Sequence, residues 1–151
     1  MTRSPRAGYD LVDSRSLALA QSVGGFQTRL MAWLLRRLAE DGFLELSAAQ
    51  LSFLGALDCG ETHAASLARE LGVSRQAVHK QVRELSAAGW LEMKEDPQLG
   101  NQKVILFTVE GERMMAAARS AFAALDQQLG DAFSEADLAA AAAVTGFDPG
   151  R

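Results

Sequence analysis

One cysteine, Cys59, and two histidines, His63 and His79, are all the thiol and imidazole in this sequence of 151 residues. A single thiol excludes an intrachain disulfide, and so few soft ligands exclude a Cys/His metal cluster, so neither metal nor cofactor is expected. Long apolar runs are missing too. Arg29, Arg36 and Arg37 interrupt the most apolar N-terminal region, well short of the roughly 20 residues that span a bilayer. The opening Met-Thr-Arg-Ser-Pro-Arg has cations with no apolar stretch behind them; a cytoplasmic location without a membrane partner is the expectation. No phosphate-binding glycine loop, nucleophile–base constellation or pair of carboxylates at a motif spacing is present, which argues against an enzyme. A basic excess is also lacking, with 15 Lys and Arg against 19 Asp and Glu and a net charge of −4.

The distribution of that charge matters more than its sum. From Arg69 to Arg83 the cations are Arg69, Arg75, Lys80 and Arg83 against the single anion Glu70, whereas from Glu110 to Asp148 two arginines face seven carboxylates. The chain has a basic middle and an acidic C-terminal segment. Its length suits one domain with a real core, or a small domain plus dimerisation helices.

The basic middle holds the most informative stretch, Leu71 to Leu91. Leu71-Gly72-Val73 reads as the end of one helix, because glycine tolerates the left-handed backbone of a helix C-terminus, and Ser74 is a cap for the next. Val73 and Val78 then form a hydrophobic staple. Within that helix Val78, Val82 and Leu85 share one stripe and point inward, while Gln76, His79, Lys80 and Arg83 share the other and point outward. Amides, imidazole and cations suit base edges and phosphates, although such a face on an isolated helix would be ordinary solvation.

The rest of the chain supplies the context. Residues 1–12, with Arg3 and Arg6, read as a mobile arm. A long helical pattern occupies 13–42, with Leu19, Val23, Phe26, Leu30 and Trp33 spaced 4, 3, 4 and 3, a seam for a second helix. Gly24-Gly25 costs that helix on the order of 1 kcal/mol per residue, so a kink or two abutting helices are expected there. Ser47 and Gln50 form a capping box opening a short helix to about Asp58, with Phe53, Leu54 and Leu57 inward. After a break at Cys59-Gly60-Glu61, Thr62 is the expected cap of a helix to Leu71 with Ala64, Leu67, Ala68 and Leu71 as its stripe. Beyond Gly89, two strands, one holding Leu91 and Met93 and the other Val104 to Val109, flank the loop from Glu95 to Lys103 and make a wing that must pack on the helices. Met115, Ala118, Phe122, Leu125 and Leu129 then form another helical seam, which Gly130 is expected to end. Ser134 caps a last, alanine-rich helix, with Phe133 and Leu138 as its staple, and the tail from Gly146 reads as frayed.

The expected fold is therefore mainly α with a small β-wing: a winged helix-turn-helix over 43–109, flanked by dimerisation helices at 13–42 and 110–147. In this order of elements the sequence resembles the MarR-type regulators, named for multiple antibiotic resistance. Leu46-Ser-Ala-Ala-Gln-Leu51 looks like the family's second-helix start, and Leu67 through Val78 looks like its helix-turn-helix core. Leu85 through Trp90-Leu91 is similar to its exit into the wing, and Asp96-Pro97 with Phe107-Thr-Val-Glu-Gly111 to the wing's two ends. The family's Asp-Arg-Arg wing tip, whose arginine enters the minor groove, falls here on Leu99-Gly100-Asn101, and the loop holds no arginine.

The resemblance implies a homodimeric, sequence-specific regulator of transcription, a repressor reading a pseudo-palindromic operator in double-stranded DNA. Arg75, Gln76 and His79 are then the expected base contacts, and Ser74, Lys80, Arg83, Lys94 and Lys103 the expected phosphate contacts. It also implies a pocket for a small-molecule effector, with Phe26, Leu30 and Trp33 as its candidate lining; the residues alone fit an interface core equally well. Cys59 is expected to be inert, since Asp58 and Glu61 flank it and a reactive thiol needs an electropositive setting. The alternative function is a winged-helix protein-interaction module that has lost DNA binding, favoured by the arginine-free wing and the acidic total charge. Both histidines are expected at the surface.

Overall fold

Serine hydroxyls open most of the helices. In the computed structural model, which describes residues 8, 11–57, 62–100 and 102–150, Ser14 Oγ accepts from the Leu17 amide at 3.1 Å and starts α1 (Arg15–Glu40). Ser47 and Gln50 cap each other reciprocally at the start of α2 (Ala48–Gly55), as the capping box predicts. Ser74 caps α4 (Arg75–Ala87), Thr108 caps α5 (Val109–Ala132), and Ser134 with Asp137 caps α6 (Glu135–Thr145). Each cap satisfies amides that the first helical turn would leave unpaired.

Several boundaries differ from the sequence reading. Residues Gly24 and Gly25 lie within one continuous α1 of 26 residues, not at a junction of two helices. Two glycines lower helix stability without removing a hydrogen bond, and here the Thr28 hydroxyl adds a 3.0 Å bond to the Gly24 carbonyl. Gly130 likewise lies inside α5, which runs on to Ala132. A glycine ends a helix by turning left-handed, as Gly72 does with φ 65°, and Gly130 is not among the glycines with positive φ. The short helix α2 stops at Gly55 rather than near Asp58. The reading of Cys59, and of the break around it, lies outside the described residues.

Thr62 does not cap a helix. With His63 it forms a two-residue strand, β1 (Thr62–His63), and α3 (Ala64–Leu71) begins immediately after, with His63 at the cap position making no side-chain cap bond. The wing strands β2 (Leu91–Glu95) and β3 (Lys103–Phe107) pair as expected, although the second stops at Phe107 instead of running to Val109, because Thr108 caps α5 and Val109 opens it; β1 adds a third strand, giving an antiparallel sheet in the order β1-β3-β2. Register sets Thr62 opposite Ile105 and His63 opposite Val104, while Lys94 lies opposite Val104 from the other side. β-Branched Thr62 fits a pleated surface beside Ile105, and the pairing satisfies backbone groups of the strand, while the hydroxyl expected to cap the helix is buried without a partner.

The core lies where α2, α3 and α4 meet the base of the sheet and the lower half of α1. Leu38, Leu54, Leu67, Val78, Val82, Leu85 and Met114 are fully buried there, joined by Leu34, Leu51, Leu91 and Ile105. Burying each such aliphatic side chain contributes about 1.5–3 kcal/mol. The long helices α1 and α5 pack on each other, and Trp33 meets Phe122 with ring centroids 6.4 Å apart. The upper part of α1 is different: no residue from Arg15 to Arg29 is buried, and Leu19, Val23 and Phe26 are 45%, 38% and 49% exposed. Helix α6 has no buried residue at all.

Candidate nucleic-acid interface

The turn between α3 and α4 is fixed by backbone bonds. Gly72, at the left-handed position, gives its amide to Arg69, and Val73 reaches back to the Ala68 carbonyl at 3.0 Å. Ser74 Oγ then accepts from the Ala77 amide at 3.1 Å, which leaves its proton for an outside acceptor. With Val78, Val82 and Leu85 all at zero exposure, the rotation of α4 is set. The opposite face has no choice but to point outward: Gln76, His79, Lys80 and Arg83 are exposed, as the periodicity predicts, and Arg75 is exposed beside them.

No acidic residue lies in the first turn of α4, so the positive end of its dipole adds to Arg75 rather than being offset. Lys80 Nζ stands 3.8 Å from Glu84 Oε1 one turn on, with both groups largely in solvent. A pair so exposed restrains the lysine only weakly.

Lys94 and Lys103 occupy the wing. Lys94 Nζ is 2.7 Å from Glu92 Oε1 on the same strand, and Lys103 lies opposite Glu95 in the register. Both lysines are exposed, as are Leu99 and Gly100 at the tip; Asn101 lies outside the described residues.

Asp96, just past β2, is the one buried charged residue among those described. Its Oδ1 accepts from the amides of Gln98 at 2.7 Å and Leu99 at 3.2 Å, and its Oδ2 lies 2.8 Å from His63 Nε2. The Gln98 amide and the His63 ring together hold the Asp96 carboxyl below the usual carboxylate range. His63 is therefore half-buried and partnered, not the surface residue that the sequence suggests.

These elements enclose a cleft of about 550 Å³ between the helix-turn-helix and the wing, lined by residues that include His63, Arg75, His79, Gln102 and Lys103. It brings together two of the predicted base contacts, Arg75 and His79, and one predicted phosphate contact, Lys103. Gln76, Lys80, Arg83 and Lys94 stand outside its lining. Sequence reasoning named His63 and Asp96 without pairing them and did not name Gln102. Asp96-Pro97 carries a turn signal, but nothing local names a partner 33 residues away.

Phe26 is exposed, and Leu30 and Trp33 are half-buried. A further cleft, of about 400 Å³, opens between the wing sheet and α5, with Leu106, Phe107, Met115 and Arg119 among its lining residues. None of the three α1 residues lines either cleft. No helix among the described residues is long and apolar enough to cross a membrane.

Comparison with known proteins places this geometry. Residues 44–98 match the model of the MarR family. The fold is similar to that of a MarR family transcription regulator, SP03579, at 21% identity and a TM-score of 0.69, over 87% of this chain and 85% of that one. It is also similar to a mutant MarR from E. coli complexed with operator DNA, at 21% identity and a TM-score of 0.64, over 85% and 89% of the two chains. The PcaV transcriptional regulator from Streptomyces coelicolor, in complex with its natural ligand, is similar at 20% identity and a TM-score of 0.62, over 87% and 91%. No curated protein matches the chain. Residues 44–98 thus match the MarR family model, and the fold that carries them is the winged-helix fold of those MarR structures.

Proposed function

We propose that this chain is a homodimeric, sequence-specific DNA-binding regulator of transcription, acting as a repressor and released by a small-molecule effector. One observation carries the reading: Arg75, Gln76, His79, Lys80 and Arg83 form an exposed row on a helix whose other face is locked into the core. In the major groove, Arg75 and Gln76 offer the forked donors and acceptors that distinguish guanine and adenine, with His79 beside them. Ser74, Lys80, Arg83, Lys94 and Lys103 hold phosphates and fix the register. The E. coli relative bound to operator DNA supports this use of the fold.

A second copy covers the exposed apolar face of α1, pairing Leu19, Val23 and Phe26 across a two-fold axis. Two recognition helices then stand about one turn of DNA apart and read a pseudo-palindrome. The acidic carboxylates of α5 and α6 lie on the dimerisation helices rather than on the DNA-reading ones. The ligand complex of the Streptomyces relative supports an effector seat on this fold; Leu30 and Trp33, with Phe26 at the edge of the seam, are its candidate lining, although they line neither cleft described above.

Selection of bound sequences from random duplex DNA tests the reading. Enrichment of a two-fold symmetric site with half-sites about 10 base pairs apart is the expected result. Absence of any salt-sensitive DNA binding at low ionic strength overturns it and leaves the protein-interaction module in its place.

A further inference from the structure

We propose that His63 is a positioning residue for the wing: through Asp96 it fixes the wing loop against the helix-turn-helix, and so sets where Lys103 stands relative to Arg75 and His79. The inference rests on the DNA-reading function proposed above.

His63 sits at a junction. It is the last residue of β1 and the cap residue of α3, so its backbone moves with the helix-turn-helix. Its side chain does not serve the helix it precedes; it reaches instead to Asp96 Oδ2 at 2.8 Å. Across the sheet, His63, Val104 and Lys94 form one row, and Asp96 lies two residues beyond Lys94. The side-chain bond therefore spans about two strand spacings, roughly 10 Å of backbone, from one edge of the sheet to the far end of β2.

Asp96 is the hub of the loop it begins. Its other carboxylate oxygen holds the Gln98 and Leu99 amides, its own amide gives to the Gln102 carbonyl at 2.8 Å, and the Gln102 amide returns to Leu99 at 2.8 Å. A displacement of Asp96 carries Gln98, Leu99 and Gln102 with it. Backbone pairing of a two-residue strand is a weak hinge, whereas a bond to a buried carboxylate is among the stronger polar contacts. Gln102 and Lys103 form one wall of the 550 Å³ cleft, and Arg75 and His79 form the other. The His63–Asp96 bond ties the two walls together.

The test uses the full chain with His63→Ala, His63→Gln and Asp96→Ala, the glutamine amide being able to donate at similar reach. Amide hydrogen exchange at Gln98, Leu99 and Gln102 is compared with that at Val82 and Leu85, and affinity is measured on the selected duplex and on a random one. His63→Ala is expected to speed exchange of the wing amides about tenfold while the core amides hold. It should also weaken the selected duplex about tenfold and the random duplex less than about threefold, as loss of one charge-assisted bond implies. His63→Gln should recover both to within about threefold, and Asp96→Ala, whose side chain does not line the cleft, should reproduce the alanine effect at His63.

Unchanged wing exchange in His63→Ala overturns the proposal. So does a loss of affinity in His63→Ala that Asp96→Ala does not share, because His63 then acts on DNA directly. If the native chain binds no duplex, the DNA-reading function falls, and the exchange measurement alone decides whether the joint exists.

Discussion

The α-carbon of Gly111 lies so close beneath the carbonyl of Trp90 that a methyl group there would overlap the oxygen, and it would also meet Phe107 Cδ1 at 3.0 Å. The same carbonyl accepts from the Thr108 amide at 3.1 Å, so it is pinned and cannot swing away cheaply. Gly111→Ala should therefore destabilise the fold by about 1–3 kcal/mol, the usual cost of overpacking, although alanine is the better helix former. Thermal unfolding checks this; a melting temperature equal to or above the native value would show that the wing and α5 can separate to admit the methyl.

Asp96 gives a pH dependence of known sign. Because the Gln98 amide and the His63 ring lower its folded pKa below the ordinary 3.8, the folded state holds its proton less tightly than the unfolded chain. Its stabilising contribution is complete above about pH 3.8 and is lost as the pH falls through the folded value. Asp96→Asn should thus unfold more easily than the native chain near neutrality, and the gap should close in acid. Denaturant midpoints at a series of pH values measure it; a gap that stays constant down to pH 2 contradicts the assignment.

On DNA, Gln76 and Lys80 should fail in different ways. Gln76→Ala removes the amide proposed to read adenine and should cost about 1–3 kcal/mol at one base pair of each half-site, relaxing specificity there. Lys80→Ala should weaken all sequences alike and reduce the slope of log affinity against log salt by about one. Equal losses on selected and random duplex for Gln76→Ala would remove it from the base contacts.

Phe26, exposed on α1 between Val23 and Leu30, tests the dimer. Phe26→Glu places a charge on the seam, which an apolar interface cannot solvate. Sedimentation should show the variant as a monomer at concentrations where the native chain is a dimer, with the circular dichroism of the winged domain retained. A native chain that sediments as a monomer would itself remove the two-fold reading.

The features legible in the sequence are the local ones. Ser47 with Gln50, Ser74, and Ser134 with Asp137 cap helices through neighbours three residues away, and the inward and outward stripes of α4 follow from its period. Gly72 is readable because a glycine two residues before a capping serine offers the left-handed backbone with which many helices end. Strand β1 was not legible: its two residues gain their structure from Val104 and Ile105, some forty positions later. The same holds for His63 with Asp96 and for Gly111 with Trp90. The glycines at positions 24 and 130 mislead for the opposite reason, since glycine permits a helix to end but does not require it. Of the proposed site, the α4 row is thus readable from sequence, and the cleft that joins it to the wing is not.

The bare upper half of α1 and the whole of α6 carry one more implication. Isolated helices of such length are marginal in water, and Gly24-Gly25 lowers the margin further. A second copy seated on those faces, as proposed above, adds its binding free energy to their folding, and their apparent stability then follows mass action. Dilution alone should act on this protein as a denaturant, melting the upper turns of α1 and α6 while the packed winged domain persists.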